Sequence, residues 1–182
     1  MKGIVIAVAL AGLVGAASDA AREPRGGEGA RPAWTEIAWP FLFDAWGPGR
    51  AFRCPATACN VEVSVYARTK AGFCNCYRGV EDDDEIDRIG DVDLHGERYL
   101  ALAPGRAAAI GDRVGRRRDF RTDGFMLTSR RVRSIVVATN CNALVATVVT
   151  SGELSPAAEV AVTALLNGEP VQSWVAANYQ TQ

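Results

Sequence analysis

Hydrophobic and polar residues alternate strictly over residues 60–68. Val61, Val63, Val65 and Ala67 fall on one side, Glu62, Ser64, Tyr66 and Arg68 on the other. A period of two is that of a strand with one face buried. Lys70-Ala71-Gly72 then supplies a turn, and residues 73–77 a returning hairpin partner. Residues 132–138 and 143–149 are apolar, β-branched runs separated by Thr139-Asn140-Cys141-Asn142, a separator of hairpin length, and are expected to be the central strands. Residues 97–103 read as a further strand, stopped by Pro104-Gly105. Residues 107–122 show no convincing period and predict no element.

A helical spacing appears in three places. Residues 81–93 open with an acidic run and set Ile86, Ile89 and Val92 three apart, as in a short helix whose carboxylates face its positive N-terminal end. Ser155-Pro156 is a helix start, with serine as cap and proline at the first helical position. That helix is expected to run to about Leu166, with Val160, Thr163, Ala164 and Leu165 to Leu166 on its apolar side, and Asn167-Gly168 closes it. Glu169-Pro170 starts a last short helix carrying Val171, Trp174 and Val175. Runs of strands with a few helices, lacking strict βαβ alternation, predict an α+β fold. The expectation is an antiparallel β-sheet with a C-terminal helix, and one or two short helices, packed on one face.

The N-terminus carries one cation, Lys2, then an apolar run from Ile4 to Val14 and small residues through Ala20. These are the three parts of a cleavable secretory signal. The run is shorter than the ~20 residues a bilayer span needs. Residues 1–20 are therefore expected to be a signal peptide, 21–33 a flexible Gly/Pro leader, and 34–182 a single globular domain. Removing Lys2 and Asp19 leaves 20 − 1 = 19 basic against 21 − 1 = 20 acidic residues, so the net charge stays at −1 and points to no polyanionic partner.

Export changes the reading of the cysteines. Cys54, Cys59, Cys74 and Cys76 form a C-x4-C-x14-C-x-C pattern, and Cys141 stands apart. In an oxidising compartment four clustered thiols predict two disulfides stapling the N-terminal half, with three connectivities open. A direct Cys74–Cys76 bridge would be strained. Cys141, odd by parity, is expected to be a buried inert thiol rather than a reactive one. The alternative is a zinc or copper site built from Cys54, Cys59, Cys74 and Cys76.

Other features are weighed against plainer explanations. Asp91, Asp93, His95 and Gly96 match early positions of a calcium loop, but Leu102 stands where a bidentate glutamate is required, so a solvated acidic helix start is expected. Arg113, Arg116, Arg117, Arg118 and Arg121, with Arg130, Arg131 and Arg133, read as a wet basic face that partly answers the acidic run. His95, the single histidine, reads as a polar loop residue. Trp34, Trp39 and Trp46 could present a binding surface, although core packing is the simpler use of such rings. None of G-x-S-x-G, H-E-x-x-H, S-x-x-K or C-x-x-C occurs.

The expectation is an exported accessory or binding protein, periplasmic or secreted and not an enzyme. It has no cofactor, and its partner is a protein or small-molecule ligand, with no nucleic acid and no membrane span. A metal-handling role is the alternative.

Overall fold

A computed structural model describes residues 34–72, 79–123 and 129–180. Its strands are β1 (Thr35–Ile37), β2 (Arg50–Cys54), β3 (Val63–Ala71), β4 (Arg98–Ala101), β5 (Arg106–Ile110), β6 (Arg113–Asp123), β7 (Ser129–Thr139) and β8 (Asn142–Thr150). The helices are α1 (Ala56–Cys59), α2 (Asp83–Ile89), α3 (Pro156–Asn167) and α4 (Glu169–Gln180), with a 3-10 turn over Val92–His95.

All strands join one antiparallel sheet in the order β1-β2-β3-β8-β7-β6-β4, and β5 pairs with β6 beside β4. The central ladder is the one the β-branched runs imply, β7 against β8 from Arg131↔Thr150 to Thr139↔Asn142. Their connection is a two-residue turn, with Asn140 and Cys141 both at positive φ (49° and 64°), as a tight hairpin requires. On its other edge β8 pairs with β3 over the full length of β3. Residues 73–77, expected to return as a hairpin partner, lie outside the described residues.

The alternation read in β3 sorts the two faces of the sheet. Val63, Val65 and Ala67 join Phe52, Leu144, Ala146, Val148 and Val137 in the main core, closed by Ala158, Val162 and Leu166 of α3 and by Val171 and Val175 of α4. Ser155 caps α3 as expected, its side chain accepting from the Ala158 N–H. The buried stripe, however, is Ala158, Ala161, Val162 and Leu166, while Val160 is exposed. Two alanines close to the sheet let the helix pack tightly, which turns the larger Val160 outward.

The opposite face is covered by other parts of the chain. α2 sets Ile86 and Ile89 against Val136, Ala143 and Val145. Val92 of the 3-10 turn packs with Phe120, Val132 and Val149. The short helix thus lies across the sheet from the C-terminal pair. Residues 107–122, without a legible period, form the β5–β6 hairpin.

Candidate functional site

On the face opposite α3 and α4, β3 presents Ser64, Tyr66, Arg68 and Lys70 in succession, and each does something different. Arg68 and Lys70, both buried, converge on buried Asp91. Arg68 donates Nε to Oδ2 at 2.6 Å and Nη2 to Oδ1 at 2.5 Å, and Lys70 Nζ lies 2.6 Å from Oδ1. Lys70 also donates to the Ile89 carbonyl at 2.9 Å. The second arm of Arg68 reaches Asp44 at 2.7 and 2.9 Å and ties down the loop bearing Trp46. Two cations thus meet two carboxylates, Asp91 in a low-dielectric setting and Asp44 near solvent. This group is electrically complete, and its use is to clamp the 3-10 turn and the aromatic segment onto the sheet. Asp91, the first position of the supposed calcium loop, is committed to these cations.

Tyr66 is the centre of a ring cluster. Phe41 lies 5.0 Å from it and Trp39 6.2 Å, both edge-on, and the His95 imidazole is tilted over it at 5.2 Å. His95 Nε2 hydrogen-bonds Thr147 Oγ1 at 2.8 Å. His95 is therefore not a polar loop residue. It is half-buried between Phe41 and Tyr66, and burial pushes its pKa down to about 4, with the Arg130 charge adding to the effect and Asp91 opposing it. The imidazole is neutral at ordinary pH, a polar strut between the turn and β8.

The three tryptophans do not share a surface. Trp34 packs against the main core on the helix side, Trp39 against Phe41 and Tyr66 on the other, and Trp46 lies on the loop, 5.5 Å from Lys70 Nζ. The arginines answer the acidic run closely. Arg116 holds Asp83 at 2.6 Å and Arg118 holds Asp87 at 2.6 Å. The Asp83 carboxyl is held below the usual carboxylate range, first by the Gly105 N–H and then by the guanidinium of Arg116. Arg133 joins Asp119 and Glu159.

Cys54 and Cys59 are joined by a disulfide around α1, so neither offers a thiolate to a metal. Cys74 and Cys76 lie outside the described residues. Cys141 is also disulfide-bonded and so is not an inert thiol. Among the described residues no group of three or more His, Cys, Asp or Glu could hold a metal, and no helix there is long and apolar enough to cross a membrane.

Among the described residues, one end of this face carries a hollow. The register aligns Arg53 of β2, Ser64 of β3 and Val149 of β8 in one row across the sheet. Ser64 and Val149 are short beside Tyr66 and the two flanking arginines, Arg53 and Arg130. The step in height makes a cleft of about 220 Å3, completed by Glu62, Thr150 and Ser151. The Tyr66 wall is stiff, since its ring is held by Trp39, Phe41 and His95. A second hollow of about 210 Å3 lies between α3 and β5, but its Arg133 is occupied by Asp119 and Glu159. The cleft was missed in the sequence because its residues come from four strands and two loops, and only the polar side of β3 hinted at it.

No protein-family model matches the chain, and no curated protein matches it. Among solved structures, a Pseudomonas aeruginosa protein of unknown function aligns with a TM-score of 0.41 and 13% identity, over 75% of this chain and 81% of that one.

Proposed function

We propose that the protein is exported and acts in the periplasm or outside the cell as a non-enzymatic binding module, its ligand seated in the cleft between Arg53 and Arg130. The supporting observation is the cleft itself, a polar hollow among the described residues on the sheet face that α2 and the 3-10 turn partly cover. Ligand sites combine a shaped hollow with a few placed polar groups, and the ring cluster behind Tyr66 prepares one wall in advance. The N-terminal leader supports the location, and the bonded state of Cys54, Cys59 and Cys141 is compatible with it.

Expression of the full chain in a bacterium with two membranes tests the location. An intact mass beginning near residue 21 in the osmotic-shock fraction supports it. Recovery from the cytosol with Met1 retained and every thiol reduced overturns it. Native mass spectrometry of the exported protein tests binding. A small molecule retained by the wild type and lost from Ser64→Trp, which fills the cleft, supports the reading. No retained molecule, together with equal thermal shifts of both proteins across a metabolite panel, refutes it.

A further inference from the structure

Some arginines of the sheet hold a carboxylate, and others, including Arg98, Arg106, Arg121 and Arg131, hold none among the described residues. Arg50, Arg68, Arg116, Arg118 and Arg133 each hold a carboxylate at 2.7 Å or less. Arg53 and Arg130 hold none among the described residues, although both line the same hollow. Its carboxylate, Glu62, forms no ion pair with either. Ser64, Tyr66 and Ser151 line the same hollow, and their hydroxyl groups are of a kind that can donate to an anionic oxygen. Val149, with the ring of Tyr66, supplies an apolar patch.

We propose that this cleft binds the oxyanion head of a small molecule, its charged oxygens between Arg53 and Arg130 and its apolar body against Tyr66 and Val149. Guanidinium forks match carboxylate and phosphate oxygens with paired, charge-assisted hydrogen bonds. A volume of about 220 Å3 is below the roughly 300–1,000 Å3 of drug-sized pockets, so the ligand is small. Glu62 sets a limit on charge, because it repels a second anionic group on its side of the hollow. The inference rests on the binding-module reading and names the chemistry of its ligand.

The test uses calorimetric titration of the folded full-length protein, freed of its leader, at low ionic strength. The probes are inorganic phosphate and benzoate, the latter a carboxylate with an apolar body. Binding of at least one probe is expected, weakened about ten-fold or more in both Arg53→Gln and Arg130→Gln and unaltered in Arg106→Gln, an exposed arginine of β5. Glu62→Gln is expected to tighten it several-fold by removing the repulsion. Preference for benzoate marks an organic carboxylate ligand, and preference for phosphate marks a phosphate head; both support the proposal. The arginines lie at the surface, so the variants should melt with the wild type, which is checked by thermal denaturation. Failure of both probes to bind, or equal affinity in the Arg53→Gln/Arg130→Gln double variant, overturns the anion assignment. A neutral molecule retained in native mass spectra would then leave the binding-module reading standing alone.

Discussion

Lowering the pH from about 7 to about 5 should destabilise the protein through one side chain. His95 is the single histidine, and burial among Phe41, Tyr66 and Thr147 brings its folded pKa to about 4 from an ordinary 6.5. The folded state thus refuses a proton that the unfolded chain accepts. The stability contributed by the neutral imidazole is fully present above the unfolded pKa and is lost as pH falls toward the folded one. The whole shift corresponds to about 3 kcal/mol at ~1.4 kcal/mol per unit, of which about 2 kcal/mol falls between about pH 7 and pH 5. Glu36, Asp44 and Asp83 are shifted the other way, downward. Their stabilisation is lost only as pH falls through their lowered values, so the window belongs to the imidazole. Urea denaturation at both pH values should show the loss, and the melting temperature should fall by about 4–8 °C. In His95→Gln the difference should shrink to a few tenths of a kcal/mol. An equal pH dependence in wild type and variant, or an imidazole titrating near 6.5 by NMR, would refute the reasoning.

Asp91→Asn should cost about 3–5 kcal/mol in urea denaturation, because it takes the buried carboxylate away from Lys70 and leaves Arg68 with Asp44 alone, while asparagine still tolerates the left-handed backbone at this position. Asp44→Asn, on the exposed arm of the same cluster, should cost about 1 kcal/mol or less, and equal losses in the two variants would contradict the difference in burial. Thiol titration of the denatured, unreduced protein should find about one free thiol per chain, since two bridges consume four of the five cysteines. A count of three or more would contradict the bonded state of Cys141.

The strands were legible where one face is apolar and the other is not. β3 announces itself because Val63, Val65 and Ala67 enter the main core while Ser64, Tyr66 and Arg68 do not. β7 and β8 are β-branched, and Ser155-Pro156 marks the start of α3. β6 was illegible for a physical reason. Arg116 and Arg118 point to the α2 side and are half-buried through their pairing with Asp83 and Asp87, so charged residues occupy positions where a period of two needs apolar ones. Gly115 adds a gap, since a Cβ there would come within 2.0 Å of the Val136 carbonyl oxygen. The apolar side of α3 was misjudged because residue size is a poor guide to depth when a helix lies close to a sheet. Parity marked Cys141 as the odd cysteine, yet the fold bonds it, because sequence proximity among the other four says little about which sulfurs meet. The cleft needs side chains far apart in the chain, and no single segment displays it.

The position of β8 has a consequence for how the chain assembles. The last strand to be made sits between β3 and β7 and joins the two parts of the sheet. Until Thr150 has emerged, β1 to β3 and the β4–β7 group have no common neighbour, and each keeps an unpaired edge. Completion depends on pairings distant along the chain, which makes closure slow. A polypeptide threaded N-terminus first through a narrow passage would therefore stay open until nearly all of it had passed.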